Sequence, residues 1–512
     1  MNPIQLSLFA NRIEAICDEM GALLRRTAFS PNIKDRLDFS CAVFDSAGEL
    51  SAQAAHIPVH LGSMAYAMAD IVSQCEWRPG DMLVVNDPFL GGTHLPDVTV
   101  VAPIYVDEIL MGFVANRAHH ANIGSDTPGS MPISSRLDEE GIIIPPTHIL
   151  NCGQLDLAVF EQLCGGAEQN SQSAGDFKAQ ISANALGVER LKKLIKELGT
   201  GVFDNSVKAL NDYAERLAVQ ALKKIPNGQY SFEDFMDDDG LGTHNISIKV
   251  QLNINNGCVT ADFSGTHDQV KGNINCPLPV TAAAVFYVIR CLLPAQAPGC
   301  AGIFRPIKII AEPGSLLNAL RPAAVAAGNV ETSTRITDVV LGALSQAIPL
   351  QIPAASHGSM NNIAMGVNAG EGRQAWDYYE TVGGGMGANA NNDGLSAVQT
   401  HMTNTLNTPV ESLELHYPLR IDRYQIRDRS GGSGANRGGD GIIREYEFLA
   451  DAEVTLLTER RALAPWGLSG GEAGMKGENL VNGQVVAGKV SLSMKLGDRL
   501  TLKTPGGGGW GK

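Results

Sequence analysis

The sequence predicts a mixed α/β (α+β) fold of several domains, with a β-rich C-terminal part. Three observations lead there. Helical and strand-like periodicities alternate as far as about residue 417, the pattern beyond about 418 is almost wholly strand-like, and 56 glycines gather in clusters that break the chain into short elements. Length sets the scale. At about 150 residues per domain, 512 residues make roughly three domains, with ample chain to bury a core. The expected divisions are 1–225, 226–417 and 418–512.

Residues 4–28 carry Leu8, Phe9, Ile13, Ile16, Met20, Leu23 and Leu24 at helical spacing. Strand and turn follow over 36–52, where Cys41-Ala-Val-Phe44 meets Asp45-Ser-Ala-Gly48. A helix is expected over 64–73. The apolar run 82–85 reads as a strand entering a loop at Asn86-Asp87-Pro88. Strands over 98–105 and 109–114 come next, the second leading into Asn116-Arg-Ala-His-His120. Helices are expected over 176–199 and 205–225, the first with Phe177, Ile181, Leu191, Leu194, Ile195 and Leu198 on one stripe. Strands dominate 228–265, and 277–294 and 334–347 are again helical. In the last part 441–448, 453–457 and 480–486 have strand character, and Asn482-Gly483 signals a type I′ hairpin turn. The glycine clusters lie at 383–387, 431–441 and 506–509, and there is no short internal repeat.

Charge and cysteine usage exclude several classes. Only 18% of residues are Asp, Glu, Lys or Arg, against about 25% usually, and the net charge is −15. Binding to nucleic acid requires Lys and Arg to neutralise phosphates, and no basic run or stripe is present. The acidity speaks to solubility, and the low charge fraction to a large, compact or oligomeric protein. Nine dispersed cysteines without a C-x-x-C pair read as reduced core residues. The N-terminus has no basic region followed by an apolar one. The most apolar stretch, 279–294, carries Arg290 and is too short to span a bilayer. The expectation is a soluble, cytoplasmic protein with no membrane partner.

The most informative segment is Asn86-Asp-Pro-Phe-Leu-Gly-Gly-Thr-His-Leu-Pro-Asp97. His94 and Asp97 sit three apart in a loop between strands, and His119 and His120 close the next strand. Imidazole nitrogen and carboxylate oxygen together suit Zn²⁺, Mn²⁺ or Fe²⁺. Spacing alone favours a loop hydrogen-bonding role for the His–Asp pair, since such pairs are common. His148, His244 and His416 read as ordinary surface or core residues. Gly483-Gln-Val-Val-Ala-Gly488-Lys489 matches the opening of a phosphate-binding loop, but Val490 stands where Ser or Thr would hold Mg²⁺, and the context is a hairpin. The 383–387 glycines read as a tight turn, so the chain is expected to have no ATP site of its own.

Taken together, the segments resemble the hydantoinase B/oxoprolinase family. This family includes N-methylhydantoinase and 5-oxoprolinase B-type subunits, caprolactamase, and related subunits of acetone and acetophenone carboxylases. The matching runs include Ser30-Pro-Asn-Ile-Lys-Asp-Arg-Leu-Asp-Phe-Ser40, the 86–97 segment, Arg117-Ala-His-His-Ala-Asn-Ile-Gly124, and Thr127-Pro-Gly-Ser-Met131. They continue with Gly328-Asn-Val-Glu-Thr-Ser333, Tyr379-Glu-Thr-Val-Gly-Gly-Gly385, His401-Met-Thr-Asn-Thr405 and Thr504-Pro-Gly-Gly-Gly-Gly509.

The resemblance implies that 1–225 is a metal-binding region in which His94, Asp97 and His119 hold a divalent metal. A fourth carboxylate would come from Asp38, favoured over Asp35. It further implies His120 as a supporting or catalytic imidazole, with Asp126 as another catalytic candidate. Similar chains often have Asp where this one has Asn122, a departure that alters the charge around the site. The implied activity is ATP-dependent opening of a hydantoin, 5-oxoproline or similar lactam, with ATP handled by an A-type subunit. A homodimer inside an A₂B₂-like complex is the implied assembly. Two alternatives stand beside it: a subunit of an ATP-dependent ketone carboxylase, and a structural or assembly subunit whose metal site is closed.

Overall fold

The computed structural model of the chain describes residues 2–54, 56–164, 171–368 and 375–512. Helix α1 (Pro3–Thr27) opens with a capping box: Asn2 accepts from the Gln5 backbone, and the Gln5 side chain accepts from the Asn2 N–H. Its buried face carries Phe9, Ile13, Ile16, Cys17, Met20 and Leu24, most of the stripe read from the sequence. The chain continues through α2 (Pro31–Lys34), β1 (Phe39–Asp45), β2 (Leu50–Gln53) and α3 (Pro58–Ser73). It then forms β3 (Met82–Val85), β4 (Asp97–Val106), β5 (Ile109–His119), β6 (Thr147–Asn151) and β7 (Gln154–Leu155). Helices α4 (Leu157–Leu163), α5 (Ser171–Leu198) and α6 (Thr200–Leu222) follow. Helix α3 starts six residues before the expected 64, because Pro58 pre-sets the first helical turn.

The first sheet is antiparallel, in the order β2-β1-β5-β4-β3-β6-β7. Cys41 and Val43 face a core shared with α1, α5 and α6, whereas Ala42 and Phe44 face α3. Because both faces are covered, β4 is buried along nearly its whole length. Its sequence therefore reads as a continuous apolar run rather than an alternation.

The second sheet has the order β11-β10-β9-β8, from β8 (Gly228–Asp238), β9 (His244–Asn255), β10 (Cys258–Asp262) and β11 (Ile307–Ile310). Helices α7 (Leu278–Leu292) and α8 (Ser333–Ser345) cover one side. Strand β9 turns Ile246, Ile248, Val250, Leu252 and Ile254 inward, with exposed or half-buried residues between them. A single π turn, Gly328–Thr332, leads into α8.

The remaining elements are β12 (Asn362–Val367), β13 (Trp376–Glu380), α9 (Val410–His416), β14 (Leu419–Arg427) and β15 (Gly441–Phe448). After them come β16 (Ala452–Leu457), β17 (Glu478–Val481), β18 (Gln484–Val486), β19 (Lys489–Met494) and β20 (Arg499–Lys503). They form two sheets, β13-β12-β16-β19 and β14-β15-β20-β17-β18. The first joins strands from either side of residue 418, since β12 pairs with β16. The Asn482-Gly483 turn is as expected, with both residues at positive φ between paired Val481 and Gln484. Lys489 is buried and bonds Glu459 at 2.5 Å, so it offers nothing to a phosphate. No described helix is long and apolar enough to cross a membrane, and the nine cysteines are free.

The glycine clusters form one seam of backbone against backbone. Gly385 N–H donates to Pro505 O, Gly439 N–H to Met386 O, and Gly507 N–H to Gly439 O. A Cβ on Gly385 would sit 1.9 Å from Gly439 O and 2.3 Å from Gly507 N, where no rotamer gives relief. Gly385→Ala is expected to destabilise the chain by about 3 kcal/mol or more, the upper range for overpacking. Gly483→Ala, at φ +81° with nothing within 4 Å, should cost only the about 1–2 kcal/mol of a left-handed backbone. Urea unfolding of the two variants checks the order.

Candidate metal centre

The loop between β3 and β4 is held from both ends. Asn86 donates to Leu95 O (2.8 Å) and accepts from Ile144 N–H (2.7 Å). Gly92 passes so close to Asn86 that a Cβ would lie 2.2 Å from its carbonyl, so the turn admits only glycine there. Asp97 then begins β4 directly opposite His119, the last residue of β5. The His119 N–H donates to Asp38 O at 3.0 Å. Two antiparallel strands and one return therefore bring 38, 97 and 119 to one end of the sheet.

Asp97 is the hub. His94 Nε2 and His119 Nδ1 each lie 3.2 Å from Asp97 Oδ1, and His60 Nε2 lies 3.2 Å from Oδ2. Thr93 Oγ1 donates to Oδ2 at 2.7 Å, and Asn329 Nδ2 does so at 3.3 Å. Burial alone would raise the Asp97 carboxyl, but His94, His60 and His119 hold it well below the usual carboxylate range. Burial pulls His94 down, yet Asp97, the Ala326 carbonyl and Glu140 outweigh it, and the net shift is upward. In His119 burial wins, and the imidazole is lowered.

One ligand atom each from His94, Asp97 and His119 lie within 4.8 Å of one another, and all three residues are buried. His94 Nδ1 is 3.2 Å from Ala326 O. A carbonyl only accepts, so Nδ1 carries the hydrogen and Nε2 presents its lone pair. His94 Nε2 and His119 Nε2 are buried without hydrogen-bond partners among the described residues. Buried polar atoms are rarely left so. An unpartnered His119 Nε2, and a His94 Nε2 with only the ionised Asp97 beside it at 3.2 Å, fit a divalent cation, and a second hydrogen bond orienting a ligand histidine is usual in such sites.

Asp38, Asp97, His119, His60, Asn329 and Tyr379 are among the residues lining a small cavity here. The space open to the centres of water-sized spheres is about 20 Å³, enough for one small molecule such as water. Tyr379 stacks on His119, with ring centroids 4.6 Å apart and planes at 11°. Arg36 lies over the same tyrosine at 4.8 Å and donates to its carbonyl at 3.0 Å. The Tyr379 hydroxyl donates to Asn362 Oδ1 at 2.5 Å, and Asn362 Nδ2 donates to Glu331 at 2.7 Å. A chain of contacts thus runs from His119 to Glu331 on the π turn.

Not every expected residue meets at this point. Asp38 lines the cavity, 3.8 Å from His60 Nε2, but stands outside the three-residue cluster; Asp35 is not among the lining residues. His120 turns the other way, against Phe177 (4.3 Å between centroids) and Gln180 (2.9 Å), so its contacts are with α5. Asp126 is exposed and does not line the cavity. Asn122 donates to Asp377 Oδ2 at 3.0 Å. An aspartate at 122 would face that carboxylate with like charge, and this explains the amide. Sequence reasoning missed His60, because the helix carrying it was expected to begin only at residue 64. It also assigned no role to Asn329 or Tyr379, although both lie in runs that carried the resemblance.

Fold and cluster together define a multi-sheet α+β protein with a buried histidine–aspartate centre. The chain belongs to the hydantoinase B/oxoprolinase family, whose model matches residues 2–512. It is 38% identical to 5-oxoprolinase 1 of Arabidopsis thaliana over 549 residues, covering 99% of this chain and 42% of that protein. It thus spans about two-fifths of the length of that relative. It is 31% identical to a protein of Pseudomonas sp. provisionally assigned as the B-type subunit of a D-/L-hydantoinase, covering 100% of this chain and 90% of that one. The structure of the ATP-dependent caprolactamase from Pseudomonas jessenii superposes with a TM-score of 0.92 at 26% identity, over 100% of this chain and 91% of that one. Nucleotide-free acetone carboxylase, 17% identical, shares the fold with a TM-score of 0.88 over 100% of this chain and 76% of that one.

Two outcomes are expected. The purified chain should carry about one divalent ion per chain, lost in His94→Ala and Asp97→Ala and kept in His120→Ala, as read by elemental mass spectrometry. The second concerns pH. Burial, then the charge of Glu459, push the Glu331 carboxyl from 4.5 up to about 8. Between those values the folded chain holds a proton that the unfolded chain releases. The contribution of Glu331 to stability is therefore greatest below pH 4.5, falls as pH rises through the window, and levels off above about 8. Unfolding midpoints across that window should show wild type losing ground to Glu331→Gln; a constant difference would contradict the assignment.

Proposed function

We propose that this chain is the metal-holding, B-type component of an ATP-dependent cyclic amidase, opening a hydantoin, 5-oxoproline or similar lactam with an A-type, ATP-binding component. The observation that carries the reading is the buried His94–Asp97–His119 cluster, in which no hydrogen bond outside the cluster occupies either Nε2, in a chain whose relatives are named for cyclic amides. His94, Asp97 and His119 would hold the ion, with Asp38 and His60 across the cavity. A bound divalent cation supplies Lewis-acid polarisation of a carbonyl that amide resonance otherwise makes a poor electrophile.

The chain's own residues prepare this place. Asp97 gathers three imidazoles, Thr93 and Asn329 fix its second oxygen, and Tyr379 fixes the plane of the His119 ring. His120 and Gln180 anchor the end of β5 on α5, a supporting role; the exposed Asp126 is assigned no proton transfer. The space beside the cluster argues against a purely structural ion, because structural sites are closed by four protein ligands.

Opening an unstrained ring is an uphill step that catalysis alone does not reverse, so coupling to ATP falls to the A-type component. It would be a separate chain where the relative is one subunit of a hydantoinase, and would lie in the remaining length where the relative is more than twice as long. The likeness to acetone carboxylase extends to the fold and does not favour a ketone substrate.

The test is turnover of 5-oxoproline and hydantoins by the chain with its A-type component. Activity should require ATP and both components, and fall about 100-fold or more in His94→Ala and Asp97→Asn. Ring opening by the chain alone without ATP, or bicarbonate-dependent consumption of a ketone, would overturn the reading.

A further inference from the structure

His94 is held both through its loop and through its ring, and both holds lead back to one short stretch of chain, 140–144. The loop is fixed by Asn86, which donates to Leu95 O (2.8 Å) and Ile142 O (2.9 Å) and accepts from Ile144 N–H (2.7 Å). The ring is fixed by the Ala326 carbonyl, 3.2 Å from Nδ1. That carbonyl comes from a distant part of the chain and has itself to be placed. Glu140, two positions before Ile142, reaches it.

Glu140 has no exposed surface. Its Oε1 accepts from the backbone N–H groups of Val325 (2.9 Å) and Ala326 (3.0 Å) and from Ser134 Oγ (2.7 Å). Two successive N–H groups on one oxygen fix the two peptides that lead into Ala326. The next peptide is caught from another direction, where Ala327 N–H donates to Asn273 O at 2.9 Å. The Ala326 carbonyl lies between these two anchors. The backbones are joined as well: Arg136 and Ala323 form an antiparallel bridge, and Leu137 N–H donates to Pro322 O at 3.0 Å.

The placing of this carbonyl decides what His94 can do. An imidazole that meets a cation through Nε2 carries its hydrogen on Nδ1, and the hydrogen bond at one nitrogen settles the state of the other. His94 has an acceptor beside each nitrogen, Ala326 O at Nδ1 and Asp97 Oδ1 at 3.2 Å from Nε2. A hydrogen on Nε2 would have Asp97 as its acceptor and would withdraw the lone pair from a cation. A carbonyl held at Nδ1 keeps the hydrogen there.

The position of the Glu140 oxygen matters more here than its charge. Oε1 already has three donors, whereas Oε2 is buried and has no hydrogen-bond partner among the described residues. A proton on Glu140 therefore sits on Oε2 and leaves the clamp intact. Burial pushes this carboxyl up to about 7, and Oε1 serves in both states. We propose that Glu140 is a positioning residue of the metal centre: by clamping the Val325 and Ala326 N–H groups it aims the Ala326 carbonyl at His94 Nδ1 and keeps Nε2 open to the cation. This rests on the metal-holding reading given above.

The experiment is titration of the metal-free full chain with Zn²⁺ against a chromophoric chelator, and with Co²⁺ read by its visible spectrum, in wild type, Glu140→Gln and Glu140→Asp. Glu140→Gln keeps an oxygen at the clamp and removes the charge. Glu140→Asp keeps the charge and draws the oxygen back by one methylene. Glu140→Gln should bind Zn²⁺ within about threefold of wild type and leave the Co²⁺ spectrum unchanged, because the orienting contact survives. Glu140→Asp should bind Zn²⁺ about tenfold or more weakly, the loss usual when a group that orients a ligand is withdrawn, and should alter the Co²⁺ spectrum. A purely structural role would lower the unfolding midpoint of a variant without moving that spectrum.

Equal affinity in all three proteins, equal loss in both variants, or loss in Glu140→Gln alone would each overturn the proposal. If Glu140→Asp does not fold, a tenfold loss or an altered spectrum in Glu140→Gln still overturns it. The two readings fail separately. A wild-type chain that takes up neither ion removes the metal-holding reading and the proposal with it. A wild-type chain that binds Zn²⁺, with variants out of the expected order, leaves the metal centre and removes the role of Glu140.

Discussion

An ionised carboxylate sits at zero exposure in this protein, and much of the surrounding architecture follows from that. An uncompensated charge in the interior is untenable. Asp97 is tolerated because three imidazoles, a hydroxyl and an amide converge on its two oxygens. Those partners come from four places in the chain: the loop before β4, the end of β5, the start of α3 and the π turn before α8. The first sheet is therefore joined at this point to the second sheet's helical layer, to which Asn329 and the Ala326 carbonyl belong. The same contacts that neutralise the charge lock the two halves of the protein together.

Around this point the protein uses further buried charges. Arg335 and Lys489 meet Glu459, and Arg460 meets Asp234 and Asp338. Buried pairs of this kind contribute little net stability but are costly to break singly. Their effect is to fix which elements meet: β8, α8 and the segment after β16 are tied at one place. Glu331 lies between this network and the Tyr379 that stacks on His119.

Much of the architecture was legible in the sequence, for identifiable reasons. Helix α1 and strand β9 carry clean periodicities because each buries one face. The β-rich last part was visible through its turns, Asn482-Gly483 above all. Helix α3 was cut short, since its first turn is Pro58-Val59-His60, in which Val59 and His60 line the cavity at the cluster. That is also why His60 was missed. The pairing of β12 with β16 leaves no trace in composition, so the expected boundary at 417 fell across a shared sheet. At the site, His94, Asp97 and His119 were singled out through the resemblance, and their nearness in the chain reflects the one hairpin that joins them. Asn329 and Tyr379 arrive from more than 200 residues away and were invisible to spacing.

The glycine seam has a consequence for how the chain is made. Its three strips, 383–387, 431–441 and 506–509, interlock through main-chain hydrogen bonds with no room for a side chain. The first strip also bonds His357 and Val398, but its bond to Pro505 and the second strip's bonds to Gly507 wait for the third. During synthesis the first two strips leave the ribosome well before the third, and they remain open until it arrives. The sheets built from 362 to 503 thus acquire their fastening late, and their edges stand unprotected at least until the third strip has been made.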